Sequence, residues 1–162
     1  MKVVIVGGVA GGATAAARLR RLDEQAEIVV FERSGFISYA NCGLPYYIGD
    51  VITDPQDLTL QTPESFFSRF RVNMKVRHEV TALHPEKHTV SVKNLKTGEE
   101  FEESYDKLIL SPGAKPTQPP VPGTDLKNYL PYVPWKIPLA SNGISTETTP
   151  NLQFWQEVDS LA

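Results

Sequence analysis

The sequence has a single cysteine, Cys42, among its 162 residues, so no disulfide can form within the chain. A lone cysteine fits a reducing compartment such as the cytoplasm, or a thiol kept for chemistry. No apolar run approaches the ~20 residues that a membrane-spanning helix needs, and the short apolar N-terminus leads into glycines instead of a signal-peptide cleavage site. With a formal net charge of -3, basic residues are not in excess either. Neither a membrane nor a nucleic acid is therefore an expected partner.

The first 32 residues are typical of one βαβ unit. Lys2–Val6 and Glu27–Phe31 are short runs rich in β-branched residues, as in strands that are buried on both faces. Between them, Gly7–Gly12 is a glycine-rich turn, and Ala13–Leu22 is rich in strong helix formers. The pattern predicts an α/β fold with a parallel sheet and helices, of the Rossmann-like type that binds FAD or NAD(P).

The glycine-rich turn has the composition of a pyrophosphate-binding loop. In the G-x-G-x-x-G register, Gly7 and Gly12 match the first and third glycines, which allow a tight turn and close packing of the helix on the strand. The middle position is Val9, which departs from the pattern, although the extra glycines Gly8 and Gly11 can partly compensate. Backbone N–H groups at the start of the helix would meet the charge of the pyrophosphate.

Glu32 follows Gly12 by 20 residues, at the end of the second predicted strand. A carboxylate at this distance accepts hydrogen bonds from the ribose hydroxyls of an adenine dinucleotide, and it disfavours a 2′-phosphate. The combination indicates FAD or NAD, although the βαβ unit alone does not choose between them. The alternative is a glycine-rich turn that serves only to pack the helix on the strand.

The middle of the chain continues the α/β pattern and adds an antiparallel β-meander. Thr62 followed by Pro63 predicts the start of a helix, and a shorter helix is expected around Pro45. A hairpin turn is expected at Thr97 and Gly98. The remaining predicted strands are Val72–Val76, Glu79–Leu83, Thr89–Leu95, Glu99–Ser104 and Lys107–Leu110.

The composition changes after the last predicted strand, since eight of the 13 prolines lie between Pro112 and Pro138. The folded domain is therefore expected to end near residue 125. Residues 126–162 are expected to form a divergent proline-rich tail with a short helix near Phe154–Leu161, and a linker, a crossing segment and a poorly ordered tail remain open as alternatives.

Cys42 lies in the segment Ser38–Gly49, directly after the βαβ unit. A cysteine does redox chemistry as its thiolate, which the N-terminus of a helix stabilises. A helix that begins near Gly43–Pro45 would place Cys42 at its positive end, and Ser38 and Asn41 are nearby polar groups that can bond a thiolate or a bound thiol. The alternative is that Cys42 is a small buried hydrophobic residue, as many free cysteines are.

Three segments together carry a resemblance to a known family: Gly7–Leu22, Ser38–Gly49 and Phe101–Pro116. They resemble the coenzyme A-disulfide reductases and the related single-cysteine NADH oxidases and persulfide reductases, within the pyridine nucleotide-disulfide oxidoreductases. The resemblance covers about the first 125 residues and implies that residues 1–125 are an FAD-binding domain that is itself incomplete. That family has one active-site cysteine in place of the CxxxxC pair of glutathione reductase-like enzymes, and here Tyr47 stands where a second cysteine would fall.

The resemblance implies a mechanism in which NAD(P)H reduces FAD, the flavin passes electrons to Cys42, and Cys42 cycles between a thiolate and a mixed disulfide with coenzyme A. Related oxidases cycle through a sulfenic acid instead. The cofactor-binding positions that the resemblance implies are Gly7, Gly8, Val9, Ala10, Gly11, Gly12, Glu32, Arg33, Val80, Ser111, Pro112, Gly113 and Ala114. The coenzyme A-binding positions that it implies are Thr14, Arg18, Arg21, Ser38 and Asn41.

Some of these positions also allow simpler interpretations. Arg18, Arg20 and Arg21 fit cations that complement the C-terminus of a helix. The turn Ser111–Pro116 fits an ordinary proline- and glycine-containing loop. A further basic phosphate contact of the family falls near position 70, where this chain has Phe70 between two arginines.

No metal site is expected from the histidines. His84 and His88 are four residues apart, but Pro85 lies between them and no acidic or cysteine cluster completes a site. Together with His78 they are expected at turns and on the surface. Four acidic residues are expected to lie in a solvated hairpin and not to form a catalytic carboxylate pair: Glu99, Glu100, Glu102 and Glu103.

No second strand–glycine turn–helix pattern follows Pro116, whereas the family has one for NAD(P)H. We therefore expect little or no NAD(P)H-dependent turnover by the 162-residue chain alone, and a homodimer only for a full-length parent. The parent is expected to reduce coenzyme A disulfide or a similar small disulfide, a persulfide or oxygen. Two alternatives remain, a non-catalytic remnant domain and an NAD-binding domain without flavin.

Overall fold

The structure, a computed structural model, describes residues 1–114 together with Pro120 and Pro122. Met1–Ala114 is one structural unit, and the architecture below belongs to that unit. The predicted tail at residues 126–162 and its short helix near Phe154–Leu161 lie outside the described residues. So do the last two positions of the turn predicted at Ser111–Pro116.

Strands and short helices alternate along this unit. In chain order the strands are β1 (Lys2–Val6), β2 (Glu27–Glu32), β3 (Ile37–Tyr39), β4 (Thr59–Gln61), β5 (Asn73–Val76), β6 (His78–His84), β7 (Thr89–Asn94), β8 (Glu100–Ser104) and β9 (Lys107–Leu110). The helices are α1 (Ala10–Leu22), α2 (Leu44–Ile48) and α3 (Pro63–Phe70). Single 3-10 turns occupy Asn41–Gly43, Pro55–Leu58 and Pro85–Lys87.

The predicted βαβ unit is confirmed as β1, α1 and β2. Helix α1 begins at Ala10, three residues before the predicted start, because the last three residues of the glycine-rich segment form its first turn. The sharp change of direction is therefore confined to Gly7–Val9. Helix formation across Gly11 and Gly12 overrides their low helix propensity, since both residues allow close packing that a side chain would block.

The parallel sheet has the strand order β5-β2-β1-β9. Within it, Val4 of β1 pairs with Val29 of β2 on one side and with Leu108 of β9 on the other. The chain first adds β2 and β5 on one side of β1 and later returns to add β9 on the opposite side. The order thus reverses at β1, and in open α/β sheets ligands bind beyond the carboxyl ends of the strands at such a switch point.

Both faces of the parallel sheet are covered, as the continuous apolar runs of its strands predict. On one face, Ala16 of α1 and Phe66 of α3 belong to the same core as Val3. On the other face, the antiparallel meander β6-β7-β8 packs Val90 into a second core with Val4. Because successive residues of a strand point to opposite faces, β1 contributes to both cores.

The predicted helix starts are also confirmed. Thr62 caps α3 through two reciprocal hydrogen bonds: its Oγ1 accepts from the Ser65 N–H at 3.2 Å, and its own N–H donates to Ser65 Oγ at 2.9 Å. Helix α2 begins at Leu44, with Pro45 in its first turn. Such caps are local, so a few adjacent residues predict them.

Strands β3 and β4 form a two-stranded antiparallel ribbon that the sequence does not predict. Ile37 lies opposite Gln61, and Tyr39 lies opposite Thr59. Each strand has only three residues, which is too short for a periodic pattern to stand out. The segment that contains Cys42 leaves directly from β3.

Glu103 departs from the solvated hairpin expected for the glutamates around β8. Its carboxylate lies 2.5 Å from Lys2 Nζ and 3.8 Å from Lys75 Nζ, and its side chain is 15% exposed. The expectation is wrong for this residue because the meander places it against lysines of β1 and β5. The hydrogen bond that Lys2 donates to Glu103 raises the pKa of Lys2 above its ordinary value.

We predict that Glu103→Gln lowers the free energy of unfolding by about 1 kcal/mol at neutral pH. The pKa of Lys2 is higher in the folded state, so its contribution is fully present below the unfolded value of about 10.4 and is lost as pH rises through the folded value. Urea denaturation between pH 7 and pH 11.5 should therefore show a difference from wild type that shrinks in alkali. Glu102→Gln, at an exposed neighbouring position, is the control and should change little; an equal effect of both variants would contradict the prediction.

Candidate functional site

Gly7 lies where β1, α1 and β9 come closest together. Its φ of +97° is in a region that side-chain-bearing residues rarely adopt. A Cβ at this position would also overlap the carbonyl oxygen of Ser111, the residue after β9. The Gly7 N–H donates to the Phe31 carbonyl at 2.8 Å. Gly7 is thus required both by its backbone conformation and by the close approach of a second loop.

The other glycines of the turn allow further close contacts. A Cβ on Gly12 would overlap the Gly7 carbonyl oxygen, and a Cβ on Gly11 would overlap Ser111 Oγ. Gly8 fits beside Glu32, whose Cβ would lie 3.1 Å from a Cβ added there. These contacts are made within the chain, so the compensation for Val9 in the approach to a pyrophosphate stays a prediction.

The N-terminus of α1 is open toward the switch point. Val9 occupies the N-cap position without a side-chain hydrogen bond to the helix, and the first turn contains no acidic residue. The Ala13 N–H donates to the Val9 carbonyl at 3.1 Å, so the three preceding N–H groups of the helix lie before its first internal hydrogen bond. Such N–H groups, with the positive end of the helix dipole, form a binding site for a phosphate group.

Glu32 is buried, at 7% exposure, and holds the turn together. One carboxylate oxygen accepts from the Gly8 N–H at 2.8 Å, and the other accepts from the Ser34 N–H at 2.8 Å. Each carboxylate oxygen can accept more than one hydrogen bond, so both retain capacity for a ribose hydroxyl. The sequence pointed to Glu32 as a ligand-binding residue but did not reveal its second role in positioning Gly8 and Ser34.

The second predicted cofactor turn lies beside the first. The Ser111 N–H donates to the Val6 carbonyl at 2.8 Å, which joins the exit of β9 to the exit of β1. Pro112, Gly113 and Ala114 follow and are exposed, with Gly113 at a φ of +74°. The structure therefore brings this turn to the glycine-rich turn at the switch point.

Two further predicted cofactor positions lie around the end of β2. Arg33 follows Glu32 directly and is exposed. Val80 is half-buried in β6 and packs against the second core, next to a register shift between Val80 and Ala82. Their contact with a cofactor remains a prediction.

Cys42 is exposed, which rules out the interpretation of this thiol as a buried hydrophobic residue. It lies in the 3-10 turn Asn41–Gly43, directly before α2. The residues that follow it, Gly43 and Leu44, are buried, and a Cβ on Gly43 would lie 2.6 Å from Leu58 Cδ2. The buried neighbours fix the backbone while the thiol faces outward.

The segment that contains Cys42 is connected to the glycine-rich turn. The Ser38 N–H donates to the Gly8 carbonyl at 3.0 Å, and Ser38 has an unusual φ of +48°. Cys42 lies four residues after Ser38. Between them, the Ala40 N–H donates to the Leu58 carbonyl at 2.8 Å. Gly8 thus bonds to Glu32 through its N–H and to the cysteine segment through its carbonyl.

Thr14, Arg18 and Arg21 form an exposed stripe along α1, because residues three or four apart lie on the same face of a helix. Arg18 makes no hydrogen bond or ion pair with any other residue in the described part of the chain, and Arg21 bonds only to the Ala17 carbonyl at 3.3 Å. Both guanidinium groups remain accessible to an anionic ligand.

Arg20 has the structural role that the simpler interpretation gives to all three arginines. Its guanidinium donates to the carbonyls of Asp23 and Glu24 beyond the C-terminus of α1, and to those of Phe70 and Arg71 at the C-terminus of α3, at 2.7–3.2 Å. The interpretation as a helix-capping cation is therefore right for Arg20 and does not extend to Arg18.

The expected position at a turn or on the surface is wrong for His78, which lies in β6 because the meander packs its ring against the aromatic residues of the second core. His78 is half-buried, its Nδ1 lies 2.8 Å from the Val76 carbonyl, and its ring contacts Phe31. His84 Nε2 lies 2.9 Å from Ser91 Oγ. Over residues 1–114, Pro120 and Pro122, no group of three or more potential metal ligands occurs. Nor does that part of the chain contain a helix with the length and apolar character needed to cross a membrane.

Comparisons with known proteins agree with this geometry. Over 113 residues, 70% of the chain, the sequence is 55% identical to coenzyme A disulfide reductase of Staphylococcus aureus strain Newman. The reduced CoADR-RHD of Bacillus anthracis superposes with a TM-score of 0.73 at 56% identity, over 75% of this chain and 22% of that one. The water-forming NADH oxidase of Lactobacillus brevis superposes with a TM-score of 0.71 at 35% identity, over 79% of this chain and 28% of that one.

The chain spans only 26% of the length of the Staphylococcus aureus relative. The similarity therefore concerns the part of these proteins that contains the glycine-rich turn and the cysteine segment. The family model for pyridine nucleotide-disulphide oxidoreductases matches residues 1–136. This match covers most of the sequence, and the chain belongs to the pyridine nucleotide-disulphide oxidoreductase family.

Proposed function

We propose that this chain is the N-terminal FAD-binding portion of a flavin-dependent NAD(P)H:disulfide oxidoreductase that acts on coenzyme A disulfide, with Cys42 as its redox residue. The observation that carries the proposal is the pair of hydrogen bonds made by Gly8. One connects it to the buried Glu32 and the other to Ser38, at 2.8 and 3.0 Å. These bonds connect the proposed dinucleotide site to the segment that leads to the exposed thiol.

The residues of the turn fit the adenosine diphosphate half of FAD. The open N-terminus of α1 would meet the pyrophosphate, and Glu32 would accept from the ribose hydroxyls. Ser111–Ala114 would border the same group from the other side, since Ser111 contacts the positions of Gly7 and Gly11. Bound FAD would supply the two-electron relay between NAD(P)H and the disulfide.

Cys42 would carry out the disulfide chemistry. Its thiolate attacks one sulfur of coenzyme A disulfide, and a new bond forms between Sγ and that sulfur as the original disulfide bond breaks. One coenzyme A thiolate leaves, and Cys42 is left as a mixed disulfide. Two electrons and a proton then release the second coenzyme A as its thiol and restore the Cys42 thiolate.

The exposed stripe on α1 would bind the coenzyme A moiety. Arg18 and Arg21 offer guanidinium groups to its phosphates, and Thr14 lies on the same face. Ser38 and Asn41 precede the cysteine by four residues and one residue, and they would bind near the thiol. No ion pair with another described residue competes for Arg18, which suits binding of a multiply charged ligand.

An alternative proposal is that the reducible substrate is oxygen or a persulfide. The 35% identity to a water-forming NADH oxidase over most of the chain supports it. The glycine-rich turn and Glu32 would be used in the same way in either case. The difference would lie at Cys42, which would be oxidised to a sulfenic acid instead of a coenzyme A mixed disulfide when oxygen is the substrate.

We predict that the purified chain binds FAD at close to one equivalent, and that Gly7→Ala weakens binding at least tenfold. Gly98→Ala is a matched control, because Gly98 also has a positive φ but a Cβ there would meet no atom within 4 Å. Both variants carry backbone strain of about 1 kcal/mol or more, whereas only Gly7→Ala also obstructs the contact with Ser111. Flavin fluorescence titration measures the affinities; no binding by wild type, or equal losses in both variants, would contradict the prediction.

We also predict that the reduced chain forms a coenzyme A adduct on Cys42 when it is mixed with coenzyme A disulfide. Arg18→Gln should slow this reaction about threefold to tenfold, the effect of losing roughly one charge-assisted phosphate contact, without slowing the reaction with glutathione disulfide. Lys87→Gln, at an exposed lysine in the turn before β7, is the charge-matched control. Time-resolved intact-mass spectrometry measures both adducts. Equal slowing with both disulfides would show that the stripe does not recognise coenzyme A.

A further inference from the structure

Arg77 is the single residue between β5 of the parallel sheet and β6 of the meander. It has a φ of +58°, in the left-handed region that arginine rarely adopts. One left-handed residue turns the chain from one sheet into the other without a loop. Backbone conformations of this kind persist where surrounding contacts hold them, and they are concentrated at functional sites.

The backbone of Arg77 is connected to the end of the dinucleotide turn. Its N–H donates to the Ser34 carbonyl at 2.9 Å, and its carbonyl accepts from the Leu95 N–H at 2.8 Å. Ser34 in turn donates its own N–H to Glu32 Oε1 at 2.8 Å. A continuous series of hydrogen bonds therefore leads from the meander through Arg77 and Ser34 to the buried carboxylate.

The guanidinium of Arg77 packs against Gly35. Arg77 is exposed, and a Cβ added to Gly35 would lie 2.9 Å from its Nη2 and 3.1 Å from its Nε, so a side chain at position 35 would displace the guanidinium from the backbone. The Arg77 side chain forms neither an ion pair nor a hydrogen bond with the rest of the described chain. Its contact with Gly35 is thus a packing contact.

The loop that carries Gly35 borders an open cavity. Gly35, Phe36 and Ile37 line this cavity of about 340 Å³ together with residues of β4 and the start of α3. Ile37 is buried in the first core, whereas Gly35 and Phe36 are partly exposed. The loop is therefore held by Glu32 at one end and by Ile37 at the other, and the guanidinium of Arg77 contacts it between them at Gly35.

We propose that Arg77 is a positioning residue for the adenosine half of the dinucleotide site, an inference that rests on the proposed FAD-binding function. By packing on Gly35 and bonding to Ser34, it holds the residues after β2 so that Glu32 and the neighbouring Arg33 face the ribose. Arg77 acts through these residues and does not itself bind the ligand.

The test uses the full 162-residue chain with FAD and, separately, ADP as probes in calorimetric titrations. Arg77→Asn removes the guanidinium but keeps a residue that tolerates the left-handed region. Gly35→Ala keeps the charge but displaces the guanidinium. Both variants should bind FAD and ADP at least fivefold more weakly, with an unchanged urea midpoint and faster amide hydrogen exchange at Ser34 and Gly35. His88→Asn, at another left-handed position with a φ of +53°, should match wild type in every measurement.

The outcomes separate this inference from the proposed function. Wild type that binds FAD, with both variants binding equally well, overturns the role of Arg77 and leaves the FAD proposal standing. If the affinities fall only in proportion to a lower urea midpoint, Arg77 has a purely structural role, and this result also overturns its proposed positioning role. If wild type binds ADP but not FAD, the proposed FAD-binding function is contradicted, and ADP binding by the variants still tests the role of Arg77. If wild type binds neither ligand, both the proposed function and the role of Arg77 are overturned.

Discussion

The close approach of three backbone segments at Gly7 is the constraint on which the rest of the site depends. The segments are the exit of β1, the first turn of α1 and the exit of β9, and a Cβ on Gly7 or Gly12 would overlap a backbone carbonyl oxygen. Because the strand order reverses at β1, these segments meet at the switch point where open α/β sheets bind ligands. The absence of side chains lets the N-terminus of α1 reach this point, where its N–H groups can face an anion.

Glu32 and Ser38 extend this backbone contact into a functional arrangement. Glu32 bonds to Gly8 from the side of β2, while Ser38 bonds to the same residue from the side of β3. A buried carboxylate with two N–H donors is satisfied electrostatically. Cys42 then follows on a segment whose backbone is fixed by buried Leu44 and Leu58. In the proposed function, dinucleotide binding and presentation of the thiol would therefore depend on one shared set of contacts.

The parts that the sequence predicts well are those specified by local chemistry. The βαβ unit, the acid at the end of β2 and the cap at Thr62 each depend on a few adjacent residues or a fixed spacing. The local sequence pattern does not decide whether the Cys42 thiol is buried or exposed. The resemblance to a family of single-cysteine enzymes favours the redox role. The structure removes the buried alternative by showing the thiol exposed.

What the sequence does not predict depends on contacts between distant residues. The β3–β4 ribbon pairs two three-residue strands that are separated by 19 intervening residues, and Glu103 meets Lys2 only after the meander packs on the sheet. Arg77 contacts Gly35 for the same reason, and neither residue type carries a motif. Arg18 and Arg20 are two residues apart and equally basic, yet only Arg20 points to the C-terminus of α3, which helical periodicity alone does not assign.

The most direct test of the central claim is a titration of the 15N-labelled chain with FAD, followed by NMR. The account predicts that the largest shifts occur at the amides of Gly7, Gly8, Gly11, Gly12 and Ser34, and that the meander hairpin around Gly98 is unaffected. Shifts concentrated away from the glycine-rich turn, or no shifts at saturating FAD, would contradict the assignment of this turn as the flavin dinucleotide site.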